Sequence, residues 1–157
     1  MPASCAPKPR SDSPDEDLVW LLQAANQVGQ QIASIRNLKE LLSKTVDIIC
    51  DVYGFYYAGV FLLDGAGQWA VLRAGRGRAG AAMLAEGHKL AVGGNSMVGA
   101  AINQRQARIA LDVGEEAVHF ENPHLPDTHS EMALPLLVGD KVLGAVTVQS
   151  VDENAFS

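Results

Sequence analysis

The apolar pattern is densest near the end of the chain. Between Ser130 and Ser150, SEMALPLLVGDKVLGAVTVQS, two apolar runs flank Gly139-Asp140. A two-residue loop with glycine first signals a β-hairpin with a type II′ turn. A straight register from that loop sets Val138 opposite Lys141, Leu136 opposite Leu143, Leu134 opposite Ala145 and Met132 opposite Thr147. The other face then carries Ala133, Pro135, Leu137, Val142, Gly144, Val146 and Val148. Both faces are apolar, so the hairpin is expected at the centre of a sheet and covered on both sides. Pro135 opposite Gly144 interrupts the ladder and predicts a bulge there.

The first third shows helical periods instead. Ser13-Pro14-Asp15-Glu16 reads as a capping box with proline in the first turn. Leu18, Leu21, Ala25, Val28, Ile32 and Ile35 then recur at alternating spacings of three and four, an a/d seam. Such a seam packs on the chain's own sheet or against a second subunit. Val19 and Leu22 widen it enough for one helix to do both. Asn37, with Glu40 in the box position, is expected to cap a second helix. Its core face is Leu38, Leu41, Leu42, Thr45, Val46, Ile49 and Val52, and Gly54 is its stop. Cys50 lies near the buried side of that helix and reads as a small core residue.

Between these ends, Tyr56–Leu63 is a strand, Asp64–Gly67 turns, and Gln68–Ala74 returns. Ala79–Ala85 forms a short helix, His88–Val92 a weak strand, and Met97–Gln104 a helix capped by Asn95 or Ser96. Ala107–Leu111 is a short strand, and Asp112–Thr128 a long irregular connection. Hairpin-linked strands at both ends require antiparallel pairing, with helices on both sides: an α+β, three-layer domain.

Composition narrows the class. One domain is expected for 157 residues. Residues 1–12 are rich in proline and serine and read as a disordered lead-in or linker, with the folded domain over 13–157. A net charge of -6 and a sequence pI of about 5.1 argue against a nucleic-acid partner. No apolar run is long enough to span a bilayer and no secretory leader is visible, so membrane insertion is not expected and a cytoplasmic location is. Two cysteines, Cys5 and Cys50, imply no disulfide framework.

Four passages together resemble a GAF domain: AGVFLLD at Ala58–Asp64, the helix after GGNSMVGAAINQ, the segment NPHLPDTHSEMALPL, and the strand GDKVLGAVTVQS. The likeness runs from about Asp17 to the end. It is greatest to the GAF modules of bacterial multidomain sensors, often found ahead of histidine kinases, as in two-component systems, or ahead of cyclases. The resemblance implies a GAF-like, PAS-related α/β/α fold with a central six-stranded antiparallel sheet. It also implies terminal helices that pair between subunits and a ligand pocket between the sheet and the middle helices and loops. GAF domains usually continue past a motif like Asn154-Ala155-Phe156-Ser157 into a long helix. Here that helix is expected to be missing, the chain being a piece of a longer signalling protein.

Candidate site residues follow. Arg73, Arg76 and Arg78 are a basic island among glycines, suited to phosphate or carboxylate, though an ordinary solvated loop has the same composition. GRGRAG lacks the Gly-Lys-Ser/Thr ending of a P-loop. Asn95 and Ser96 open a helix whose free amides suit an anion or serve as plain capping. His119, His124 and His129 recur every five residues near Glu121, Asp127 and Glu131, at spacings that fit no standard zinc motif. His129 or His124 is the choice for an axial haem ligand, against the ordinary role of pinning loop carbonyls. Glu131, at a strand start, is a candidate ligand contact whose expected role is to tie down the preceding loop through backbone amides rather than to do acid–base work. Thr147 and Gln149 are polar on the Met132/Leu134 face, pointing into a ligand cavity or marking the edge of the core. By the resemblance, a covalent bilin is not expected, since neither cysteine is placed for it, and haem is not favoured. The pocket cysteines of the free-methionine-sulfoxide reductases are missing. No nucleophile–base pair can be placed. The expectation is a non-catalytic sensory module that binds a small effector of unknown identity. It is expected to form a homodimer through the first helix and to relay to output domains. The alternatives are a ligand-free dimerising spacer and a haem or redox sensor.

Overall fold

The computed structural model describes residues 14–114 and 119–157. One compact unit ends at Glu40; the other, Leu41–Ser157, contains the sheet. Among the described residues no helix is long and apolar enough to cross a membrane.

A single 40-residue helix, α1 (Pro14–Tyr53), stands where two were expected. No glycine or proline lies near Asn37, and an asparagine inside a helix costs only about 0.7 kcal/mol against alanine. The cap read at Asn37 therefore does not break the helix. Asp15, Glu16 and Asp17 crowd the first turn, where negative charge opposes the helix dipole. Ser13 of the expected capping box lies outside the described residues. Along the seam, Leu18, Leu21, Val28, Ile32 and Ile35 are each more than half exposed, and Ala25 is exposed too. Past Glu40 the expected core face divides. Leu42, Val46 and Ile49, with Cys50, join Ala58, Val60 and Ala74 in one apolar cluster, while Leu41 and Val52 are exposed. The helix ends at Gly54, whose amide donates to the Cys50 carbonyl at 2.8 Å.

Six strands follow, with two short helices among them. They are β1 (Tyr57–Leu63), β2 (Trp69–Gly75), α2 (Gly77–Ala85), β3 (Lys89–Ala91), α3 (Met97–Gln104), β4 (Arg108–Ala110), β5 (Ser130–Val138) and β6 (Lys141–Ser150). They form one sheet in the order β3-β2-β1-β6-β5-β4, and every pairing is antiparallel. This is the expected α+β architecture. Its outer face rests on the last turns of α1 through Ala58, Val60 and Ala74. Its inner face meets α2, α3 and the loop before β5 through Tyr57, Phe61, Leu72, Ala133 and Ala145. Each large apolar side chain buried there contributes about 1.5–3 kcal/mol.

The β5–β6 hairpin turns at Gly139-Asp140 as expected. Gly139 has φ +59° and Asp140 stays at negative φ, the type II′ pattern. The first pair, Val138 opposite Lys141, matches the straight register. Leu137 opposite Val142 matches it too, but beyond them Leu136 faces Gly144, Leu134 faces Val146 and Met132 faces Val148. Leu143 is the extra residue, so the bulge sits nearer the turn than Pro135, which pairs with Ala145. A one-residue slip moves every later side chain of β6 to the other face. Thr147 thereby faces Ala133 and Gln149 faces Glu131, on the inner side. The hairpin is also less covered than expected: Leu137, Val138 and Leu143 near the tip, and Leu134, are exposed.

Gly144 lies where β6 crosses β1. A Cβ there would fall 1.9 Å from the Phe61 carbonyl oxygen, a backbone contact that cannot yield. Gly144→Ala is predicted to lower the unfolding free energy in urea by about 3 kcal/mol or more. Gly65→Ala, with nothing within 4 Å of its Cβ, should stay within about 0.5 kcal/mol of wild type. Equal effects from the two substitutions would contradict the close crossing.

Candidate functional site

The inner face carries a polar row across three strands. Glu131 of β5 faces Gln149 of β6, and Gln149 faces Tyr57 of β1. The next row is small: Ala133 faces Thr147, Thr147 faces Gly59, and Gly59 faces Gly75. Large side chains beside small ones leave a hollow in the sheet face. Met83 of α2, the start of α3 at Ser96–Val98, His88, and the loop residues Phe120, Asn122 and Leu125 close over it. The cavity volume is about 20 Å³, room for about one water-sized group.

The polar side chains form a chain. Thr128 Oγ1 donates to Gln149 Oε1 at 2.7 Å, Gln149 Nε2 to Thr147 Oγ1 at 3.5 Å, and Thr147 Oγ1 to Glu131 Oε1 at 2.9 Å. Glu131 is 6% exposed and Thr147 2%. His119 Nδ1 approaches Glu131 Oε2 at 3.1 Å but without hydrogen-bond alignment. The Tyr57 hydroxyl leans over Gly59 and Gly75. It is buried with no hydrogen-bond partner among the described residues. Burial, with the nearby Cys50 and Glu131 adding to it, pushes the phenol's pKa far above its ordinary range.

The walls are aromatic and sulfur-bearing. The His88 ring lies edge-on to Phe61, centroids 5.9 Å apart, and tilted against Phe120 at 5.8 Å. Asn122 Nδ2 donates to Met83 Sδ at 3.0 Å, joining the loop to α2. Beside them His124 Nε2 meets the Glu86 carboxylate at 3.0 Å. Burial lowers the His88 pKa, with Glu86 opposing and His124 adding to the shift.

Of the residues singled out from the sequence, the fold brings Ser96, Glu131, Thr147 and Gln149 to this cavity. Ser96 is the α3 cap, its Oγ accepting from the Gly99 amide at 3.0 Å. Asn95 is exposed. Arg73 is the extra residue of a second bulge, between β1 and β2, and is exposed. Arg76 turns to α1, donating to Asp47 at 2.9 Å and Asp51 at 2.6 Å. Those hydrogen bonds raise its pKa further. Gly75 and Gly80 serve packing, since a Cβ on Gly80 would fall 2.1 Å from the Gly75 carbonyl, and Gly77 supplies a positive φ of +67°. His129 is exposed and its Nδ1 donates to the Asp127 carbonyl. Among the described residues, no group of three or more His, Cys, Asp or Glu is arranged to hold a metal ion. Tyr57, His88, Met83 and Phe120 were not singled out for the cavity. Their one signal was the pairing of Tyr57 with small inner-face neighbours, which is visible only once the register is known.

A six-stranded antiparallel sheet with α1 against one face and α2 and α3 against the other, with a small hollow on the inner face, is an α+β fold. A sequence profile described as GAF domain matches residues 35–157, and the chain belongs to the GAF family. No curated protein sequence matches it. Solved structures do. The GAF domain of a phosphoenolpyruvate-protein phosphotransferase from Coxiella burnetii is 20% identical with a TM-score of 0.66, covering 83% of this chain and 77% of that one. The corresponding domain from Acinetobacter is 21% identical at 0.65, covering 87% and 80%. A type II free methionine-R-sulfoxide reductase from Thermoplasma acidophilum is 15% identical at 0.65, covering 78% and 81%. At these identities the likeness is one of fold.

The His88 shift gives a pH prediction. With its pKa lowered on folding, the unfolded chain takes up the proton first as pH falls below about 6.5. The stability due to neutral His88 is therefore present above that pH and lost as pH falls through the folded-state value. The difference in urea midpoint between wild type and His88→Gln should shrink from about pH 7.5 to about pH 5. A constant difference would contradict burial of the neutral ring.

Proposed function

We propose that this chain is a non-catalytic sensory module that binds a small effector in the inner-face cavity and relays its occupancy through α1 within a homodimer. The observation that carries this reading is the polar chain Thr128–Gln149–Thr147–Glu131, whose last three members line the same cavity as the unpartnered Tyr57 hydroxyl. Buried polar groups without full partners cost stability, and a ligand that supplies the partners offsets that cost. The relay runs through covalent and ionic links. Met83 borders the cavity from α2, and Arg76, at the α2 cap, grips Asp47 and Asp51 of α1. A ligand that shifts α2 pulls on α1, whose exposed apolar seam suits pairing with its twin. The shift requires a ligand that prefers one arrangement of α2 and α1 over the other. Output domains of a larger signalling protein, of the histidine kinase or cyclase kind, would read the change.

The small cavity volume favours a second reading, a ligand-free dimerising spacer. A thermal-shift screen of the full chain against small amines, amides, carboxylates and phosphates separates the two. The sensory reading expects saturable stabilisation by one class; a flat response across all of them supports the spacer. The dimer is tested apart. Sedimentation should show a dimer at tens of micromolar, and Val28→Glu with Ile32→Glu should give a folded monomer. A monomeric wild type at that concentration would contradict the seam.

A further inference from the structure

The donor accounting at Glu131 decides the kind of ligand. An ionised carboxylate offers about four acceptor sites, and burial makes each empty one costly. Glu131 Oε1 accepts from Thr147, but Oε2 has no aligned donor among the described residues; His119 is near it and misdirected. Across the same cavity the Tyr57 hydroxyl stands unpartnered at 2% exposure. No guanidinium faces the hollow: Arg73 is exposed and Arg76 is held by Asp47 and Asp51. The cavity therefore presents a carboxylate oxygen without an aligned donor, beside the misdirected His119 imidazole, and an unpartnered phenol oxygen. An anion would be repelled there, and an apolar guest would leave both groups unserved.

We propose that the cavity takes a protonated primary amine or ammonium ion, whose N–H groups donate to Glu131 Oε2 and the Tyr57 hydroxyl. The volume of about 20 Å³ matches one such head group, which is close to water in size. Phe61 and Phe120 among the lining residues are of the type whose rings attract a cation. A larger amine places its body against Phe120, which borders the cavity and is 41% exposed. This inference rests on the effector-binding reading and names its ligand class.

The test is a thermal-shift titration of the full chain at constant ionic strength. Ammonium and methylammonium chloride are compared with sodium chloride, with tetramethylammonium chloride, which cannot donate, and with acetate, phosphate and formamide. The first two should raise the melting midpoint saturably and the others should not. Glu131→Gln, an isosteric change, should weaken the response about thirtyfold or more, and Tyr57→Phe, which keeps the ring, about tenfold. Equal shifts with tetramethylammonium, or an undiminished response in both variants, overturn the proposal. A saturable response to an anion or to formamide with the amines silent overturns the ligand class and leaves the effector reading standing. Silence from every compound overturns both.

Discussion

A carboxylate sealed inside an apolar sheet face has to be supplied with donors, and the rest of this molecule is arranged around that requirement. Glu131 reaches its partners because β6 contains one extra residue. Without the bulge at Leu143, Thr147 would lie opposite Met132 on the outer face, against the apolar surface that meets α1. With it, Thr147 and Gln149 share the inner face with Glu131, and a hydrogen-bonded chain crosses the sheet. Bulges next to functional surfaces commonly re-aim side chains in this way.

The surrounding packing makes space for that chain and closes it off. Gly59, Gly75 and Ala133 keep the inner face low beside the polar row. Gly80 lets α2 lie directly on the end of β2, bringing Met83 over the hollow. At the start of the same helix, Arg76 ties α2 to α1 on the far side of the sheet. The two faces thus differ in kind. The outer one is a plain apolar contact with α1, and the inner one mixes a core with incompletely satisfied polar groups. Incomplete satisfaction is a poor way to stabilise a fold and a good way to keep affinity for a guest.

Much of the fold could be read from the chain. The order of elements, the hairpin turn, the antiparallel sheet and the Ser96 cap follow from local rules that neighbouring residues settle. Register does not. Pro135 and Gly144 announced an irregularity, but the position of the extra residue, Leu143, depends on contacts with β1, where Gly144 meets the Phe61 carbonyl. The break expected at Asn37 failed because a favourable cap competes poorly with a continuing helix. For the cavity, Glu131, Thr147 and Gln149 were legible as polar residues inside apolar strands. Arg73 and Arg76 had the right chemistry for a ligand, but one is spent on a bulge and the other on two aspartates of α1. Tyr57 carries no sequence sign of a stranded hydroxyl, because that depends on which small residues face it across β1 and β2.

If the inner-face polar chain serves the proposed binding role, it adds little to stability. Replacing it as a unit with apolar side chains, Glu131→Leu with Thr147→Val and Gln149→Leu, tests this most directly by urea unfolding. Thr128 Oγ1 retains the Leu125 carbonyl at 3.2 Å as an acceptor, so the change strands no donor there. A triple variant at least as stable as wild type is the predicted result. A loss of more than about 2 kcal/mol would contradict it and make the polar chain part of what holds the sheet together.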